Sequence, residues 1–205
     1  TKVRLEYYFE RVGQISVGAF RRDFENFFGS TTFNATPEFL ELYGLDPAIY
    51  DPYDVSTQHN IASRVRMTGL EFDYKQALTF LPRWARGVQV FANASAIRAT
   101  GDATSNFNGF VPRVYNWGVS LTRERFSLRM NWNYRGRQRD GAVTGRSIEP
   151  GTYAWTSKQL NIEVQGERQL RKNIAAFASI RNLNAAGTDQ KIFGPSTPPH
   201  ATFRS

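Results

Sequence analysis

Residues Phe126 to Arg137 read Phe-Ser-Leu-Arg-Met-Asn-Trp-Asn-Tyr-Arg-Gly-Arg. Through Tyr134 every even position is large and apolar or aromatic, and every odd position is Ser, Arg or Asn. A period of two means a β-strand with two chemically unlike faces. A Phe/Leu/Met/Trp/Tyr face behind an Arg/Asn face fits a wall between lipid and a watery lumen. Recurrence of the pattern along the chain decides what it can fold into.

The pattern recurs. Val3, Leu5, Tyr7 and Phe9 alternate with Arg4, Glu6, Tyr8 and Glu10, and Ile15, Val17 and Ala19 with Ser16, Gly18 and Phe20. The spacing predicts about eight strands: Lys2 to Glu10, Gln14 to Phe28, Ser63 to Gln76, Val88 to Ile97, Pro112 to Thr122, Phe126 to Arg137, Trp155 to Glu167 and Asn173 to Leu183. Phe91 interrupts the polar face of the fourth. The connections alternate between short and long. The long ones run from Gly29 to Ile61, Gly101 to Gly109, Gln138 to Thr152, and Asn184 to Ser205. In the first, Thr36 as cap, Pro37 at the first position and Gly44 as stop predict a short helix. The expected fold is all-β: an antiparallel up-and-down meander of about eight strands, part of a transmembrane β-barrel, with that helix in a long extracellular loop.

Alternation also assigns faces. Leu70, Phe72, Trp117, Leu128, Met130, Trp132 and Ile162 are expected to face lipid. Glu71, Asp73, Arg129, Asn131 and Arg135 are expected to face the lumen. There Arg129, Asn131, Asn133, Arg135 and Arg137 would meet Glu71, Asp73, Glu163 and Glu167 in a ladder of opposite charges across strands, or line a cavity for an anionic ligand. Binding residues gather on loops, so Phe39, Tyr43, Tyr50, Tyr53, Arg146 and Tyr153 are the candidates for ligand contact. Simple loop packing is the other reading of each.

Composition narrows the chemistry. The 205 residues include no Cys and two His, His59 and His200, far apart, so no thiolate or transition-metal site is expected. Asp102 to Gly109 resembles a calcium loop only loosely, because Thr104 breaks the ligand spacing. No phosphate loop, nucleophile elbow or zinc-protease motif occurs, so neither cofactor nor enzymatic activity is expected. The net charge of +8 is scattered among strands and turns, which argues against a nucleic-acid partner. The chain opens at Thr1-Lys2-Val3-Arg4 directly in a strand pattern, so an export signal is expected to lie upstream.

Several segments look like a known family. Ser16 to Phe27, the Gly69-Leu70-Glu71 strand, Val111-Pro112-Arg113 leading into Asn116 to Leu121, Met130 to Gly136, and Ala178 to Asn184 with its Asn182-Leu183 pair occur in order. Together they resemble the late strands of TonB-dependent outer-membrane receptors. The resemblance spans essentially the whole chain. It implies that residues 1–205 are the C-terminal part of such a barrel, without the plug domain and the final strand. It also implies a Gram-negative outer-membrane location and import of a siderophore or another scarce nutrient. The implied partners are outer-membrane lipid, the plug and remaining barrel, the TonB complex and a small nutrient ligand. Two other readings stay open: a self-contained eight-stranded outer-membrane barrel acting as adhesin or small pore, and a soluble β-sandwich binding domain.

The face assignment predicts that Met130→Arg or Ile162→Arg destabilises the lipid-folded protein by about 2–4 kcal/mol, and Asn131→Arg much less. Urea titration in lipid vesicles measures both, and equal costs would contradict the assignment.

Overall fold

The computed structural model describes residues 1–10, 12–50, 52–101, 108–143 and 147–197. In chain order the strands are β1 (Lys2–Phe9), β2 (Gly13–Phe24), β3 (Phe27–Asn34), β4 (Asp54–Ile61), β5 (Val65–Ala77), β6 (Val88–Thr100), β7 (Arg113–Thr122), β8 (Phe126–Arg135), β9 (Gln138–Ala142), β10 (Tyr153–Thr156), β11 (Gln159–Arg171), β12 (Ile174–Ile180) and β13 (Gln190–Phe193). Helices α1 (Pro37–Leu42) and α2 (Pro47–Tyr50) lie between β3 and β4. The main sheet is an antiparallel meander, ordered β1-β2-β5-β6-β7-β8-β11-β12. Its edge strands β1 and β12 do not pair with each other, so the sheet is open and not a closed barrel.

The eight strands alternate in direction, so the connections sort to two ends. The β1–β2, β5–β6, β7–β8 and β11–β12 turns share one end. At that end Arg123 binds the Arg83 and Trp84 carbonyls, the latter at 2.5 Å, tying two turns together. The long connections share the other end, and they contain more strand than the sequence pattern predicts. Both ends of the expected loop from Gly29 to Ile61 pair as the β3–β4 hairpin, which prolongs the β2–β5 pair. Between the two pairs Glu25 and Asn26 oppose Ala62, Ser63 and Arg64, a bulge with Asn26 at φ 53°. The expected loop from Gln138 to Thr152 begins as β9, and β10 precedes β11 as a separate strand, so the expected seventh strand is broken at Ser157 and Lys158. The tail beyond Asn184 adds β13, which pairs β10. Between β12 and β13 the Asn184 side chain stands in for backbone: its Oδ1 accepts the Ile162 N–H at 3.1 Å and its Nδ2 donates to the Leu160 carbonyl at 2.6 Å.

The predicted helix is present. Thr36 Oγ1 accepts the Phe39 N–H at 3.3 Å, Pro37 occupies the first turn, and Gly44 at φ 67° ends it. The Gly44→Glu41 and Leu45→Leu40 backbone bonds form a Schellman motif. Leu40, 2% exposed, anchors the helix.

The main sheet is a single layer. The chain exposes 14689 Å², whereas a compact monomer of this mass exposes about 9,700 Å². Few apolar side chains among the described residues are buried, and Ile61 and Val65 with Phe27 and Ala99 make a small cluster at the base of the β3–β4 ribbon. No described helix is long and apolar enough to cross a membrane.

Phe91 interrupts the polar alternation for a reason. Its ring lies over Gly118 on the neighbouring strand, and a Cβ there would sit 2.6 Å from the ring and 2.7 Å from the Met130 carbonyl oxygen. Gly118→Val should therefore cost about 1–3 kcal/mol. Chemical denaturation reads the loss. Phe91→Ala should restore only part of it, because the Met130 carbonyl remains in the way.

Candidate functional site

Residues directly opposite each other in an antiparallel pair share a face. The register carries one row across six strands: Ile15, Tyr74, Ala92, Trp117, Trp132 and Ile162. The next row holds Leu5, Val17, Phe72, Ala94, Tyr115 and Tyr134. Leu70, Leu128 and Met130 fall on the same side. All seven residues expected to face lipid therefore lie on one face of the sheet. Trp117 and Trp132 stack at 6.2 Å, and Tyr115 and Tyr134 at 5.4 Å. Nothing among the described residues covers this face, and Leu70 is 62% exposed.

On several strands the apolar face ends in a charged residue, mostly basic. Walking two residues past the last apolar position reaches Arg21 on β2, Arg98 on β6, Arg113 on β7 and Lys158 before β11 at the loop end. At the turn end the same walk reaches Arg123 after β7 and Glu124 before β8, and Arg168 stands four residues past Val164 on β11. The result is an apolar band with charged borders.

The opposite face carries Glu71, Asp73, Arg129, Asn131 and Arg135 together, as expected. Among the described residues no ion pair joins Arg129, Arg135 or Arg137 to Glu71, Asp73, Glu163 or Glu167, so the expected charge ladder does not form. Glu71 and Asp73 lie on β5, and β6 and β7 separate them from β8. They pair instead with β1: Lys2 with Glu71 at 2.6 Å and Arg4 with Asp73 at 3.4 Å. The intervening β2 offers Ser16 and Gly18 there, small enough for long side chains to meet across it. Ser16, 3% exposed, lies beneath and accepts from Arg4 at 2.9 Å. Arg129 lies 5.6 Å from the centre of the Phe91 ring, and Arg135 donates to Gln138. Asn93 and Asn116 bond at 2.8 Å within a row that continues to Asn133 and Asn161. The Oδ1 atoms of Asn131 and Asn161 are buried without a partner, so this face has acceptor capacity to spare. A cavity of about 590 Å³ opens on it near the turn end, with Arg129, Glu167 and Arg181 in its lining.

The loop candidates fall into separate groups. Phe39 packs on Tyr43 at 4.8 Å and on Phe33 at 5.4 Å. Tyr50 and Tyr53 pair at 5.9 Å. Tyr43 is 65% exposed, so packing does not consume this cluster. Tyr153 lies apart on β10, with the Arg139 guanidinium 4.6 Å from its ring centre. Arg146 lies outside the described residues, as do most of the weak calcium-loop match and His200. His59 is on β4. Among the described residues no group of His, Cys, Asp or Glu gathers to hold a metal. Sequence reasoning missed Phe33 as the partner of Phe39. Phe33 lies in a ribbon that reads as loop. Arg137, expected in the charge ladder, instead holds its guanidinium 4.4 Å from Trp155 and 5.9 Å from Phe193. A cavity of about 290 Å³ lies between the β3–β4 hairpin end, at Phe33, Asn34 and Asp54, and the β9–β10 connection, at Glu149 and Thr152.

No protein-family model matches this chain, and neither a curated protein nor a solved structure matches it.

Arg139 and Tyr153 should couple by about 0.5–1 kcal/mol in a double-mutant cycle, as a cation over a ring still open to water does. Arg139 also donates to Asn108 at 2.7 Å, which the cycle separates from the ring contact. Coupling near zero would contradict the stacked geometry.

Proposed function

We propose that this chain is a wall segment of a transmembrane β-barrel in a Gram-negative outer membrane. The apolar band would lie in lipid, the short turns in the periplasm and the β3–β4 and β9–β10 ribbons outside the cell. One observation carries the reading: the uncovered apolar band with basic residues at both borders. From Arg113 to Arg123 is about 33 Å at 3.3 Å per residue. At a strand tilt of about 40° that is about 25 Å of height, the apolar belt of an outer-membrane barrel. A soluble β-sandwich needs a second sheet on the apolar face, and the main sheet has none among the described residues. The open edges at β1 and β12 favour a segment of a larger barrel over a closed eight-stranded one.

The resemblance to late strands of TonB-dependent receptors extends the proposal to transport. The full barrel would admit a siderophore or another scarce nutrient past a plug, driven through the TonB complex. This segment would supply wall and outer loops and no catalytic group. Phe39, Tyr43, Tyr50 and Tyr53 would meet the ligand from the cap of the β3–β4 ribbon, and Arg146 and Tyr153 from the β9–β10 side. Glu71 and Asp73 would serve the wall through their pairs with β1, and Arg129, Asn131 and Arg135 would face the plug.

Mixed with phosphatidylcholine vesicles, the protein should float with lipid through a sucrose gradient and resist carbonate extraction. Recovery as a detergent-free species with a cooperative melt would contradict the membrane reading. Cells lacking the gene should lose uptake of one nutrient to the same extent as cells lacking TonB. Unchanged uptake would contradict transport alone.

A further inference from the structure

At the loop end of the apolar face lies a groove of about 770 Å³. Val3, Ala19, Leu70 and Ala96 line its apolar part, and Arg21, Arg98 and Arg113 line its border with Thr1 and Thr68. We propose that this groove binds a phosphorylated lipid, with an acyl chain over the alanines and the phosphate held by the three arginines. The inference rests on the membrane reading of this face.

The register brings the arginines together. Arg113 is opposite Ala96, and Arg98 stands two residues beyond Ala96 on the same face. They are diagonal neighbours, about 7–8 Å apart at the backbone. Arg21 is opposite Thr68, which is opposite Arg98, so Arg21 and Arg98 are two strand spacings apart, about 9.6 Å. Three guanidiniums on long stems can converge on one phosphate across such distances. Arg21 has a carboxylate partner, Asp23 at 3.2 Å. Among the described residues no carboxylate pairs with Arg98 or Arg113. Neighbouring like charges at the border of an apolar surface are unfavourable until an anion joins them.

The groove supplies the second half of the match. Ala19 and Ala96 flank Leu70 in one row, and their small side chains leave room for a chain alongside it. An anion above and hydrocarbon below is the order of groups in a phospholipid, and a soluble phosphate would leave the apolar part unused. A zwitterionic headgroup brings its own cation to a site already cationic. A phosphate monoester on a diacyl lipid, as in phosphatidic acid, fits better.

The test uses the full chain folded into phosphatidylcholine bilayers containing phosphatidic acid, and native mass spectrometry of what it retains. The wild type should retain phosphatidic acid over phosphatidylcholine. Replacing both arginines, R98Q with R113Q, should cut retention about tenfold, as loss of charge-assisted hydrogen bonds does. Arg168→Gln, on the same face at the opposite end, should leave it unchanged. Ala96→Trp keeps the arginines and fills the groove, so it too should lower retention, and it serves if the double variant does not fold. Equal retention of the two lipids by a protein that floats with vesicles overturns the lipid site alone. Retention indifferent to Ala96→Trp overturns it in favour of a bare anion site. A protein that never floats with vesicles overturns the membrane reading and the lipid site with it.

Discussion

An antiparallel ladder ties the face of every strand to that of its neighbour. Slipping one strand by a residue would turn all its side chains over. In this protein the ladder keeps one parity across eight strands, so Leu5, Val17, Phe72, Tyr115 and Tyr134 end on one side and Ser16, Asp73, Asn93, Asn116 and Asn133 on the other. Every later feature depends on that. The aromatic stacks, the basic borders, the β1–β5 ion pairs and the glycine beneath Phe91 all require this register.

The same register leaves an energetic demand unmet within the sheet. Burying a Val, Leu or Phe side chain contributes about 1.5–3 kcal/mol, and a whole domain is stable by only about 5–15 kcal/mol. Leu5, Val17, Leu70, Leu128 and Ile174 all stand exposed on the apolar face. A few such residues are enough to decide whether the sheet persists in water, so the apolar face asks for a surrounding apolar medium or a second layer. The polar face makes less of a demand, since most of its side chains are Asn, Ser, Gln and Arg.

Much of this was legible in the amino-acid sequence. The period of two identified the strands of the main sheet and both their faces, because the register keeps apolar side chains on one side of the sheet and polar ones on the other. The Thr36-Pro37 start and Gly44 stop located α1, because caps are local chemistry. The ribbons were not legible. Ser30-Thr31-Thr32 and Gln58-His59-Asn60 carry no apolar alternation for a period of two to show. The charge partners were missed for a different reason. Periodicity tells which face Glu71 and Asp73 occupy, but not that Ser16 and Gly18 are small enough to let Lys2 and Arg4 reach them. The loop aromatics were found as residues, while their grouping, with Tyr153 against Arg139 and Tyr43 against Phe39, depends on which strands the ribbons pair.

The central claim, that the apolar face of the sheet meets lipid, has a direct test because the chain contains no cysteine. A single cysteine can be placed at each position from Leu128 to Tyr134 and given a nitroxide label in vesicles. Electron paramagnetic resonance then compares access of oxygen, which concentrates in hydrocarbon, with access of a water-soluble nickel chelate. The account predicts alternation with a period of two: oxygen reaches Leu128, Met130, Trp132 and Tyr134 best, and the chelate reaches Arg129, Asn131 and Asn133 best. High chelate access at every position, or the opposite phase, would contradict it.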